Sequence, residues 1–75
     1  MENFKTKYNL TPQQKKAFEW IKTYIENEGG SPSYDEIMLG IGLKSKSGVA
    51  RLCNGLKDRG WIDFKPNFAR SITIL

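Results

Sequence analysis

Between Leu10 and Trp61 the chain carries three hydroxyl residues placed to start helices and three glycines placed to stop them. This punctuation constrains the fold more than any other feature. In Leu10-Thr11-Pro12-Gln13-Gln14, Thr11 is suited to cap orphan backbone amides, Pro12 fits the first helical position, and Gln14 completes a capping box. Ala17, Phe18, Ile21, Tyr24 and Ile25 then recur at helical spacing until Gly29 and Gly30 end the pattern, which predicts a first helix over about residues 12–28. Pro32 forces the next residues into an extended path. Ser33-Tyr34-Asp35-Glu36 forms a second capping box with two acids at the positive end of the helix dipole, and Ile37, Met38 and Ile41 supply an apolar face. A short helix over about 34–41 follows, stopped by Gly42.

Only Leu43 and Lys44 separate Gly42 from Ser45, so a tight turn joins the second helix to a third, capped by Ser45 and predicted over about 45–59. On a helical wheel at about 100° per residue with Leu52 as zero, Leu56, Val49 and Cys53 fall within about 100° on one side. They form the expected core face. Ala50, Asn54, Ser47, Arg51 and Lys57 take the other side, and no acid appears from Ser45 until Asp58. After Gly60 the period changes from helical to alternating. Trp61-Ile62-Asp63-Phe64-Lys65 reads as a strand over 61–65, Pro66 to Ala69 as its turn, and residues 70–75 as a returning strand rich in β-branched residues. A lone hairpin is marginal in water, so its apolar side chains are expected to pack on the helices.

With 75 residues, the chain holds one small domain and has no spare length for an enzyme cleft. The formal charge of +4 is unevenly spread: residues 1–43 carry five lysines against six acids, whereas residues 44–75 carry seven Lys and Arg against two aspartates. The balance is therefore −1 followed by +5, and an anionic partner is expected at the second stretch. Cys53 is alone and there is no His, which excludes an intrachain disulfide and a structural zinc site and leaves the cysteine unactivated. Its place beside Leu52 and Leu56 makes it core packing. No catalytic constellation, metal site, cofactor or small-molecule substrate is expected. No apolar run approaches the roughly 20 residues of a membrane span, and the N-terminus lacks the apolar stretch of a signal peptide, so the expected location is cytoplasmic. Residues 1–9 read as an N-terminal arm, residues 10–75 as the domain, and Asn9-Leu10-Thr11 as an accidental glycosylation pattern.

Three helices, a tight turn before the third and a closing hairpin form the layout of a winged helix-turn-helix domain, mainly α with a small β-hairpin. The third helix offers short polar side chains and cations that suit a major groove about 12 Å wide, and the hairpin brings Lys65, Asn67 and Arg70 towards phosphates or the minor groove. Trp61 reads as packing where it opens the first strand, and Trp20 lies off the main stripe of its helix. Phe68 at the wing tip is left open between packing and contact with DNA or another partner. Gly55 within the third helix is read as permitting the close approach of a neighbouring helix.

From Leu10 to Leu75 the chain resembles the N-terminal DNA-binding domain of the LexA repressor family, regulators of the bacterial SOS response. The matching pieces are LTPQQ, Phe18, Ile21, Tyr24 and Ile25 in the first helix, GGSPSYDEI, GLKSKSG, the RGWI after Leu52 and Leu56, and PNFARSITIL. The SKSG and PN-AR pieces look more like alphaproteobacterial than enterobacterial members. The resemblance implies base-reading positions at Ser45, Ser47, Gly48, Ala50 and Arg51, with Asn54 further along the same face. It implies phosphate contacts at Arg59 and Arg70, to which charge and position add Lys44, Lys46 and Lys65. Enterobacterial members carry an Asn and paired Glu residues where this chain has Ser47, Ala50 and Arg51, so their palindromic operator is not implied. Similarity to the alphaproteobacterial type implies a GTTC-like direct repeat, and Arg51 suits a bidentate contact to guanine.

The family continues through a linker into a self-cleaving serine-lysine domain, of which this chain contains nothing. The expectation is therefore a DNA-reading unit without the cleavage switch, either an excised domain or a short regulator of a bacterium or phage. The sequence supports two functions. The first is a sequence-specific double-stranded DNA-binding repressor, pairing on adjacent half-sites in the cytoplasm of a bacterial or phage-infected cell. The second is a winged-helix module that binds polymerase, a replication protein or another repressor. The dependence of affinity on salt separates them.

Overall fold

A computed structural model describes residues 7–75, so residues 1–6 of the expected N-terminal arm lie outside the described residues. Helix α1 spans Pro12–Glu28. Both halves of its capping box are made: Thr11 Oγ1 accepts from the Gln14 amide at 3.1 Å, and Gln14 Oε1 accepts from the Thr11 amide at 3.0 Å. Helix α2 spans Tyr34–Ile41, and its box is closed by Ser33 and Glu36 at 3.1 and 2.8 Å. The turn out of α2 runs through Gly42 at φ 77°, a left-handed conformation in which a Cβ would be strained, and the Leu43 amide returns to the Met38 carbonyl at 2.9 Å. Helix α3 spans Lys46–Asp58, one residue shorter at each end than the expected 45–59. Ser45 and Arg59 are its caps, and cap residues lie outside helical geometry; Ser45 Oγ accepts from the Gly48 amide at 3.3 Å.

The three helices meet around one core. Ala17, Phe18 and Ile21 of α1, Ile37 and Ile41 of α2, and Val49, Leu52, Cys53 and Leu56 of α3 are buried. Ile62 and Ile72 bring the hairpin onto the same core. Trp20 is half-buried, stacked on Tyr24 with ring centroids 5.4 Å apart. It also presses on α2 at Gly40, where an added Cβ would run into the indole ring. At Gly55 the close neighbour is the Gln14 side-chain amide, 2.6 Å from where a Cβ would stand, rather than the backbone of another helix.

The hairpin, or wing, pairs less than its sequence pattern suggests. Strand β1 is Ile62–Asp63 and β2 is Thr73–Ile74, antiparallel, with Ile62 opposite Ile74 and Asp63 opposite Thr73. The expected strands over 61–65 and 70–75 are therefore corrected to two residues each. Beyond Asp63 the backbone bonds to side chains instead of a facing strand: Phe64 N to Asp63 Oδ1 at 2.9 Å, Lys65 N to Ser71 Oγ at 2.9 Å, and Ile72 N to Ser31 Oγ at 3.1 Å. Asn67 and Arg70 adopt left-handed φ values of 67° and 54°, which no strand tolerates.

The root of the wing is tied to the chain before α1. The Trp61 indole meets Phe18 edge-on at 5.1 Å, and its Nε1 donates to the Tyr8 carbonyl at 2.7 Å. The Tyr8 amide donates to the Arg59 carbonyl at 3.0 Å. Within the expected arm of residues 1–9, Tyr8 therefore lies against the domain.

Candidate nucleic-acid interface

Helix α3 divides along its axis. Val49, Leu52, Cys53 and Leu56 turn inward, while Ser47, Arg51 and Asn54 are exposed, with Ala50 and Gly48 half-buried among them. Ser45 and Lys46 are exposed at the start of the helix, where the Ser45 and Ser47 hydroxyls lie 3.1 Å apart. Lys44 is exposed in the preceding turn. The six residues expected to read bases thus occupy one continuous strip of α3 and its cap. Gly48 has room for a side chain, since an added Cβ would make only ordinary contacts with Leu43 and Ser45 at 3.5 Å.

The wing runs along one edge of this strip. Lys57 holds it there: its Nζ donates to the Phe64 carbonyl at 3.2 Å, lies 3.5 Å from Asp63 and sits 4.7 Å from the centre of the Phe64 ring. Between the wing and the starts of α2 and α3 lies a groove of about 390 Å³, bordered by Tyr34, Asp35, Lys46, Lys65, Phe68 and Arg70. Lys65, Asn67 and Phe68 are exposed at the tip, with Phe68 at 67%. That exposure removes packing as the role of Phe68 within this domain. Lys65 Nζ lies 5.9 Å from the Phe68 ring centre. Arg59 is half-buried at the far end of α3, its guanidinium reaching back beside Gly55.

The expected cations are not electrostatically equal. Among the described residues, Lys44, Arg51, Arg59 and Lys65 have no ion-pair partner. Lys46 faces Asp35 of α2 at 3.1 Å, an acid that the charge pattern along the chain assigns to a different segment. Both groups are well exposed, so the pair is weak and open to exchange. Arg70 turns away from the tip. Its Nη1 donates to Glu36 Oε1 at 2.9 Å and to the Ser31 carbonyl at 3.2 Å, with a longer contact of 3.4 Å to the Tyr24 hydroxyl. The Tyr24 hydroxyl in turn donates to Glu36 Oε2 at 3.2 Å.

Nothing in the sequence announces this network. Glu36 is legible as a cap and Tyr24 as an α1 face residue, but nothing in their spacing joins them to position 70. The Ser33 backbone amide, followed by Arg70, holds the Glu36 carboxyl at about 2, well below the usual carboxylate range, and the same contact raises Arg70 further. Burial pushes the Cys53 thiol up to about 11, which makes it a poor nucleophile at neutral pH. Among the described residues no three His, Cys, Asp or Glu side chains cluster as metal ligands, and no helix is long and apolar enough to cross a membrane. The site offers hydrogen-bond donors, acceptors and cations on exposed side chains of α3 and the wing.

Known proteins are similar to this chain in sequence. The family model described as the LexA DNA binding domain matches residues 7–71. A LexA repressor from Novosphingobium aromaticivorans is 44% identical over 66 residues, covering 88% of this chain and 28% of its own length. A LexA repressor from Erythrobacter litoralis matches with the same identity and coverage. One from Rhodospirillum rubrum is 41% identical over 66 residues, covering 88% of this chain and 26% of its own. The chain thus spans little more than a quarter of the length of these relatives. With the family model matching nearly all of its described residues, the chain belongs to the LexA DNA-binding domain family.

Proposed function

We propose that this domain binds double-stranded DNA sequence-specifically and acts as the DNA-reading unit of a transcriptional repressor of the LexA type, in the cytoplasm of a bacterial or phage-infected cell. Helix α3 enters the major groove with Ser45, Ser47, Gly48, Ala50, Arg51 and Asn54 at base edges. The wing lies on the backbone or minor groove alongside, and Lys44, Lys46, Arg59, Lys65 and Asn67 meet phosphates and sugars. The role is binding, not catalysis.

One observation carries this reading. The exposed strip of α3 presents short polar groups and Arg51 without a carboxylate from Ser45 to Lys57, and the wing sets exposed Lys65 beside it. Short side chains let the helix backbone approach base edges closely, and a strip without acids avoids repelling the phosphates that line the groove. The relatives' name, LexA repressor, supports the regulatory half of the proposal.

Affinity for duplex DNA measured against salt tests it. Neutralising about five phosphates gives a slope of log K against log[salt] near −4.5. A flat dependence, or no binding at low salt, rejects the proposal and turns attention to a protein partner. Selection of sites from random duplexes reads the operator in the same experiment, and recovery of a consensus is the expected outcome.

A further inference from the structure

We infer that Arg70 serves DNA binding as a positioning residue, latching the wing to α1 and α2 through Glu36, Tyr24 and Ser31, and that it does not act as a phosphate contact. The inference rests on the DNA-binding reading above and assigns the wing its angle to α3.

The wing needs such a latch. Its ladder is two residues per strand, too short to hold a hairpin at a defined orientation by itself. Lys57 ties the outgoing segment through Phe64 and Asp63, and one carboxylate constrains the returning segment. Glu36 Oε1 accepts both from the Ser33 amide at 2.8 Å and from Arg70 Nη1 at 2.9 Å, while Oε2 accepts from the Tyr24 hydroxyl at 3.2 Å. The cap of α2, the face of α1 and the wing therefore converge on a single side chain. Ser31 closes the other side: its carbonyl accepts from Arg70 at 3.2 Å and its hydroxyl accepts from the Ile72 amide at 3.1 Å. Two positions of the returning wing segment, 70 and 72, are thus pinned to the same short segment before α2. Ile72 is buried, so these bonds also set the depth at which the wing sits on the core.

The same geometry weakens Arg70 as an anion site. A phosphate reaching its guanidinium would meet the Glu36 carboxylate 2.9 Å away, and the pair together carries no net charge. Displacing that carboxylate would also disturb the α2 cap, because the same oxygen holds the Ser33 amide. The Arg70 guanidinium, though exposed, reaches back to Ser31, Tyr24 and Glu36, whereas Lys65, Asn67 and Phe68 are exposed at the tip.

Glu36→Gln discriminates between the two roles, because glutamine preserves the capping box while removing the ion pair. If Arg70 is a latch, Glu36→Gln weakens binding to the selected duplex by about threefold, the scale expected for a part-exposed ion pair. Added to Arg70→Ala, it brings little further loss. Tyr24→Phe shifts affinity in the same direction, and without DNA the Ile72 amide exchanges faster in Glu36→Gln and Arg70→Ala. If Arg70 instead meets phosphate, Glu36→Gln frees a cation and binds as tightly as wild type or tighter, and Arg70→Ala shallows the salt slope by about one unit; either result overturns the inference. A wild-type domain with no salt-dependent DNA binding rejects the DNA-binding reading. The latch is then judged by Ile72 exchange, and unchanged exchange in Arg70→Ala overturns it separately.

Discussion

Under the proposed function, Arg51 is the residue on which sequence discrimination is expected to turn. It is exposed on the outer strip of α3, faces no carboxylate among the described residues, and carries the planar fork that matches the O6 and N7 edge of guanine. Replacing it with alanine is expected to narrow the gap between selected and random duplexes by about 1–3 kcal/mol, with little change in non-specific affinity. Paired titrations on the two DNAs check this. Gly40 makes an opposite demand, because its role is in the folded state alone. The Trp20 indole occupies the place a Cβ would take. Alanine in a helix normally gains about 1 kcal/mol over glycine, but overpacking costs about 1–3 kcal/mol, so Gly40→Ala is expected to lower stability in urea unfolding. The sign of that change measures how firmly α1 and α2 are pressed together.

At the scale of the element, the caps do more than end helices. Ser33 and Glu36 start α2, and the same glutamate receives the wing, so the stability of a secondary-structure terminus and the placement of the hairpin share one titrating group. Its folded-state value is depressed from 4.5 to about 2, so its contribution is present above pH 4.5 and is lost as pH falls towards about 2. Chemical denaturation across that window is expected to show the loss, and Glu36→Gln to flatten it. The cap itself was legible from Ser33-Tyr34-Asp35-Glu36 because capping is a relation between residues three apart. The short strands were not. Alternation in residues 61–65 reports which side chains face the core, and Ile62 and Phe64 do pack inward, but it carries no information on whether the facing backbone is there to pair. Ser71 and Ser31 hydroxyls take those amides instead.

For the whole molecule, the charge balance of −1 followed by +5 becomes less lopsided once the chain folds. Asp35, from the acidic stretch, stands against Lys46, and Glu36 stands against Arg70, so among the described residues two of the seven basic groups after residue 43 are paired with acids from before it. The cations without acidic partners among the described residues are Lys44 in the turn before α3, Arg51 on α3, Arg59 at its C-cap and Lys65 at the wing tip. A single module of this size buries about 600–1,000 Å² on DNA, which limits the affinity of one copy. Two copies on adjacent half-sites are therefore expected to bind more tightly than one. Sedimentation of the domain with duplexes carrying one or two half-sites checks this through the stoichiometry and the concentration at half-saturation.

What the sequence by itself determined is local. Helix starts and stops, the inward and outward faces of α3, the tight turn before it and the change of period after Gly60 are all relations among residues a few positions apart, which spacing and side-chain chemistry express directly. The motif pieces placed the candidate strip from Ser45 to Asn54 for the same reason, since it lies on one helix. Only the tertiary structure decided which cations are engaged by an acid among the described residues and which are not, because ion pairs such as Arg70 with Glu36 join residues far apart in the chain and depend on where the wing lands. It also decided where the wing lands, through buried Ile62 and Ile72, the Trp61 indole bonded to Tyr8 and the Ser31 hydroxyl. Long-range hydrogen bonds have no period along a chain, so they become visible only when the core has brought their partners together.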